Sequence, residues 1–328
     1  MIRAGEAAMF HEGERAVQRR AGVERDAARV GGIVGSWIPG EYAEFLSSQT
    51  FVVVAGRDTR SRVWASALAG PEGFARALDD RRLLLSGELA AADPLAAAFK
   101  PPGGLIGILA IELGTRARIR LNGIGVRTLE GIAVDVSEVF GNCRKYIQRR
   151  EQEPGGEPEQ RRRPAARWAG GPPVGEERSV LSAEQAGLIR RADTFFIASS
   201  HPQRGADASH RGGRPGFAEV SFDGRTLCFP DYPGNRMFQT LGNIAIDPRA
   251  GLLFVEWQTG SVLQLTGRAR IVWDEHQVAR WPSAERLVAV RIDAVREREG
   301  AMPGGWRLVE ASRVNPPLGI GGTDTEGR

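Results

Sequence analysis

The chain is poor in cysteine and histidine: two cysteines, Cys143 and Cys228, and four histidines stand in 328 residues. No CxxC pair and no His/Cys cluster occurs, so neither a zinc site nor a disulfide framework is expected and no metal is assigned. Both thiols read as reduced and structural. His11 reads as a surface or packing residue, His201 as a loop residue and His276 as a surface residue. No run of about 18 apolar residues is present to span a bilayer. The opening MIRAGEAAMFHEGER contains no apolar core of a secretory signal. The expectation is a cytoplasmic protein with no membrane partner. Surplus charge is small: 44 Lys and Arg against 40 Asp and Glu leave +4. That balance suits a small anionic ligand and makes no demand for nucleic acid.

What the chain does have is an ordinary globular composition, 41% hydrophobic and 26% charged, and a length that suggests two domains. It also repeats itself. Residues 51–74 (FVVVAGRDTRSRVWASALAGPEGF) lie without a gap on residues 194–217 (TFFIASSHPQRGADASHRGGRPGF), an offset of 143. Ala55, Ala65, Ser66, Gly70, Gly73 and Phe74 meet identical residues. Residues 107–123 (GILAIELGTRARIRLNG) lie on 251–267 (GLLFVEWQTGSVLQLTG) at an offset of 144, with Glu112, Thr115, Leu121 and Gly123 matched. The period is that of a domain, not of a solenoid unit. The reading is two copies of one β-rich module: a degenerate copy at 1–150, a Pro-, Gly- and charge-rich mobile linker at 151–177, and a second copy at 178–328.

Between its apolar strands the second copy concentrates groups that grip an anion: Ser209, His210, Arg211, Asn235, Arg236 and Asn243. Gly205, Gly212, Gly213, Gly216 and Gly234 allow tight turns and close approach to a ligand. In the first copy His210 and Arg211 are replaced by Ala67 and Leu68, and GNR has no counterpart. Arg116, Arg118 and Arg120 share one strand face by period two. They are expected to form a solvated face, with an anion contact across a domain interface as the sharper alternative. Helices are expected over 1–35, 38–49, 91–99 (Pro94 near its start) and 181–192, the last capped by Ser182 with Gln185. Residues 71–80 read as a turn and a helical turn, and 319–328 as a frayed tail.

Through SSHPQRGADASHRGGRPGF, GNRMFQTLGNIAIDPRAGLLFVEW and LQLTGRARIVW the chain resembles the pyridoxamine 5′-phosphate oxidase-like family of flavin-binding split barrels. FHEGERAVQRRAGV and VFGNCRKYIQRR resemble its two-copy members. The resemblance implies a mainly β fold: tandem six-stranded antiparallel split barrels of Greek-key type with flanking helices. It implies flavin mononucleotide (FMN) as cofactor and an oxidoreductase acting on a small molecule. The partner barrel would be supplied within the chain as a pseudo-dimer, with a homodimer of chains also open. By similarity Ser209, His210, Arg211 and Gly212 lie along the flavin, Asn235 and Arg236 hold its phosphate, and Asn243 and Gln264 are further contacts. The Trp- and Arg-bearing segment that closes over flavin and substrate in the vitamin-forming oxidases is not matched at Trp306 and Arg307. A non-catalytic flavin- or haem-binding protein and a deazaflavin reductase are the alternatives.

Overall fold

The structure, a computed structural model, describes residues 9–87, 89–153 and 177–318. The bulk of the expected linker and the expected tail lie outside the described residues.

Two antiparallel sheets of seven strands each dominate. The first is built from β1 (Phe51–Arg57), β2 (Val63–Ala69), β3 (Ala75–Ala77), β4 (Arg82–Leu85), β5 (Gly104–Glu112), β6 (Ala117–Arg127) and β7 (Ile132–Gly141), in the order β2-β1-β5-β6-β7-β4-β3. After β8 (Arg149–Gln152) the second sheet uses β9 (Thr194–His201), β10 (Gly205–Gly212), β11 (Glu219–Val220), β12 (Thr226–Asp231), β13 (Arg249–Glu256), β14 (Ser261–Val272) and β15 (Arg286–Arg298). Its order is β10-β9-β13-β14-β15-β12-β11, the same pattern. Each sheet thus has six main strands plus one short edge strand, β3 or β11. This is the tandem split-barrel architecture.

The registers agree as closely as the order. Phe51 faces Ala69 on β1–β2, and Thr194 faces Gly212 on β9–β10, 143 residues later. The bulge between Asn122 and Gly123 is matched by one between Thr266 and Gly267, 144 residues later.

The sheets pack on each other because their first strands are apolar on both faces. Along β1, Val52 and Val54 point into the first barrel's core. Phe51, Val53 and Ala55 point the other way, into a cluster shared with Phe196, Ala198, Ala206 and Leu253 of the second sheet. On β9, Phe195 and Ile197 fill the second barrel while Phe196 and Ala198 face the first. A two-residue period with both faces apolar is the pattern of a strand buried on both sides. The contact is close enough to involve backbone. A Cβ on Gly107 would lie 2.4 Å from the Ala206 carbonyl oxygen, and one on Gly251 would lie 2.5 Å from the Trp64 Cα.

Three helices precede β1: α1 (Glu12–Arg20), α2 (Glu24–Gly31) and α3 (Gly40–Ser47). His11 caps α1, its ring accepting the Gly13 N–H at 3.1 Å while Glu14 accepts the His11 N–H at 2.8 Å. α4 (Ala183–Arg191) has the expected cap, Ser182 and Gln185 bonding reciprocally. α5 (Gln239–Ile246) joins β12 to β13, and α6 (Glu275–Val278) joins β14 to β15. A short ribbon pairs β8 with β16 (Trp306–Glu310), so the chain is ordered as sheet through Gln152. Glu177, at the far end of the expected linker, is pinned by Arg62 at 2.6 Å and Arg296 at 2.8 Å.

Three expectations fail locally. Residues 91–99 form turns, not a helix. Buried Asp93 accepts the Leu95 N–H and the Ser66 hydroxyl, both at 2.8 Å, and pairs with Arg298, which fixes a non-helical backbone. Residues 75–77 are strand β3, not a helical turn. His201 is not a loop residue, since it ends strand β9 and is buried, whereas His11 is a packing residue, buried as the cap of α1.

Candidate functional site

One cavity gathers residues from both halves. β10 brings Ser209, His210, Arg211 and Gly212. The segment from β12 into α5 brings Asn235, Arg236 and the first turn of the helix. β6 of the first half sends in Arg118 and Arg120, and the chain just after β7 adds Cys143, Lys145 and Tyr146. Five cationic side chains line it against one carboxylate, Asp231, so its field favours an anion.

The end of α5 that faces the cavity is built for the same purpose. Its N-cap, Phe238, is left-handed (φ 61°) and provides no capping bond; Arg236 is also left-handed (φ 66°). Such backbone in bulky residues is held by its surroundings and tends to occur at working sites. Here Asn235 accepts the Met237 N–H at 3.1 Å and donates to Asn142 of the first half at 2.7 Å. Tyr146 donates to the Pro233 carbonyl at 3.2 Å. Its own carbonyl oxygen sits where a Cβ on Gly212 would come within 2.0 Å, so only glycine lets the two halves meet at that point. With its cap position empty, α5 presents unsatisfied N–H groups and the positive end of its dipole.

Burial sets the charge states. His210 is 4% exposed and its Nε2 has no hydrogen-bond partner. Desolvation, reinforced by Arg118, Arg211 and Arg150, holds its pKa well below the usual histidine value, so the ring is neutral. Desolvation also lowers Arg211, and brings Arg118 down to about 10, which leaves Arg118 charged near neutral pH. Burial raises Asp231 against the pull of Arg211 and Arg286. The Tyr232 hydroxyl is pushed up to about 12 by burial. Arg120 donates to Gln239 Oε1 at 2.9 Å and pairs with Asp207, while its Nε lacks a partner, as does that of Arg211. Arg236 is paired with Glu285.

The sequence-derived residues therefore divide. Ser209, His210, Arg211, Gly212, Asn235 and Arg236 line the cavity. Asn243 does not: it donates to Ser199 at 3.1 Å and to Asp207 at 2.5 Å, and its Oδ1 meets His11 Nε2 at 3.1 Å, which ties α5 to β9, β10 and α1. Gln264 does not either. It donates to the Ala65 carbonyl and the Ser66 hydroxyl, both at 2.9 Å, inside the contact between sheets. Of the arginine ladder, Arg118 and Arg120 line the cavity between the halves and do not form a solvated face; Arg116 leaves it to pair with Glu310. Cys143, Lys145 and Tyr146 carry no local signal, because their role depends on where the first half's chain crosses the second.

The equivalent positions on the other side of the sheet contact carry other residues. Val262 and Gln264 stand 144 residues after Arg118 and Arg120, and Ala91 and Ala92 stand 144 residues before Asn235 and Arg236. Leu89, Leu95 and Phe99 pack that segment into the first barrel's core.

His11, Glu12 and His201 also come together, with the two rings 4.6 Å apart. Each Nδ1 accepts backbone N–H groups, from Gly13 for His11 and from Gln203 and Arg204 for His201, all at 3.1 Å. A ring whose Nδ1 accepts N–H groups carries its proton on Nε2, which leaves no lone pair there for a metal.

Residues 181–310, most of the second half, match the model of the pyridoxamine 5′-phosphate oxidase family. No curated protein matches the sequence. Solved structures with some likeness include HupZ of Group A Streptococcus (14% identity, 38% of this chain and 99% of that one, TM-score 0.30). A general stress protein 26-related protein of Clostridium acetobutylicum is another (13%, 35% and 86%, TM-score 0.27). An FAD binding protein of Mycobacterium smegmatis is a third (17%, 37% and 99%, TM-score 0.27). These likenesses are too slight to bear on function.

Proposed function

We propose that the chain is an FMN-dependent oxidoreductase whose two halves act as an intrachain pseudo-dimer and share one flavin site. The observation that carries this is the convergence, in one cavity, of five cationic side chains, the uncapped start of α5 and the unpartnered Nε2 of buried His210. The donor set fits a phosphate-bearing flavin. Arg118, Arg211, Lys145 and the N–H groups of α5 hold the phosphate, and Asn235 shapes the loop that presents them. Arg236, already paired with Glu285, adds to the field. Neutral His210 offers one hydrogen bond to a neutral or partly charged ring atom, and burial keeps water from that contact. A bound flavin supplies the hydride or electron transfer itself; these residues supply position and electrostatics. The cavity's volume is about 110 Å³. Small-molecule sites typically enclose about 300–1,000 Å³, so it suits the phosphate end, not the whole molecule.

Titration of the purified chain with FMN, followed by flavin fluorescence, tests this. Arg118→Ala is expected to weaken binding by about 1.5–3 kcal/mol, the scale of a lost charge-assisted hydrogen bond. Unchanged affinity in that variant excludes the cavity as the phosphate site. Absorption spectra after incubation with FMN or with a deazaflavin separate the two cofactors.

A further inference from the structure

We propose that Cys143 is a modification site: a low-molecular-weight disulfide bearing carboxylates, of the glutathione type, captures its thiol as a mixed disulfide, and the adduct closes the cavity to its anionic ligand. The proposal rests on the flavin reading for the ligand's identity, and on the cavity alone for its position.

Cys143 is exposed and lines the cavity. Its Sγ lies 4.0 Å from Arg118 Nη2, and the same guanidinium donates through Nε to the Cys143 carbonyl at 3.1 Å. Arg144 and Lys145 follow it in the chain and are exposed. Three cations beside an accessible sulfur attract an anionic disulfide to it. The cavity itself is built for a ligand, since His210 Nε2 is buried there without a partner. The other thiol differs in each respect. Cys228 is half-buried on β12, and burial pushes it up to about 11, so it stays protonated and inert.

The exchange balances without a further reactant. The Cys143 thiolate attacks one sulfur of the disulfide, the old S–S bond breaks and a new one forms to Cys143. The displaced thiolate leaves and takes up the proton that Cys143 gave up. Cys143 is oxidised and half of the disulfide is reduced. The adduct stands between Arg118 and the solvent, where its bulk and carboxylates oppose a phosphate.

The full chain is incubated with glutathione disulfide and analysed by peptide mass and by FMN titration. One adduct is expected, on Cys143 and absent in Cys143→Ser. FMN affinity should fall at least about tenfold in the adduct and return on reduction, and saturating FMN should slow the exchange by a similar factor. No adduct on Cys143, or an adduct there that leaves FMN affinity unchanged, overturns the proposal. If untreated protein does not bind FMN, the flavin reading fails on its own. The exchange is then run with pyrophosphate as the protecting anion: slowing supports the thiol proposal, and an unchanged rate overturns it.

Discussion

At the residue scale, neither His210 nor Arg118 changes the cavity's charge near neutral pH. Burial and neighbouring arginines keep His210 neutral, and Arg118 does not lose its proton until about pH 10. The phosphate of the ligand titrates instead, with a second pKa of about 6. FMN affinity is therefore expected to be flat from about pH 7 to 9 and to weaken below about pH 6 as the phosphate takes up a proton. Isothermal titration across that range checks it; a step near pH 6.5 that vanishes in His210→Gln would show a titrating histidine instead. Glu14 behaves differently. Burial, with Asp207 and Glu138 adding to it, raises its pKa from 4.5 to about 8. Because the folded value is the higher one, the stability this group contributes is full below about pH 4.5 and is lost as pH rises through about 8. Glu14→Gln keeps an oxygen acceptor for the His11 N–H. Its stability relative to wild type should rise across that window in urea denaturation, and a constant difference would contradict the assignment.

At the scale of elements, the strands that carry chemistry also carry the contact between halves. β5 and β13 approach the opposite sheet so closely that no side chain fits at Gly107 or Gly251. Gly251→Ala is expected to cost about 1–3 kcal/mol by forcing the backbone at Trp64 to move. Loss of stability without loss of FMN affinity, or the reverse, is read from thermal melts beside flavin titrations; an unchanged melt would mean that the sheets are not held this close. Much of this was legible in the sequence. The gapless offsets bring out strand pairs whose registers repeat at the same offsets. His210 and Arg211 stand out because the first copy has Ala67 and Leu68 there. Tertiary contacts were not legible. Residues 91–99 have the alanines and proline of a helix start, but Asp93, bonded to Ser66 and Arg298, holds turns instead. Asn243 and Gln264 are polar residues in promising stretches, yet each is consumed by bonds between elements. Arg118 reaches the cavity only because one half lies against the other.

At the scale of the molecule, the two halves have one strand plan and different sites. The first half supplies Arg118, Arg120, Lys145 and Tyr146 to a cavity floored by the second. At the corresponding positions on its own side, Val262 and Gln264 stand in place of Arg118 and Arg120, and Ala67 and Leu68 in place of His210 and Arg211. Neither half is expected to bind ligand alone, and the pair is expected to bind once. Saturating titration of the intact chain with FMN, at protein concentrations well above the dissociation constant, measures this directly. A break at one FMN per chain, shifted to much higher ligand by Arg118→Ala, is the expected result. A break at two per chain, or binding retained in full by residues 178–328 alone, would contradict a single site built by both halves.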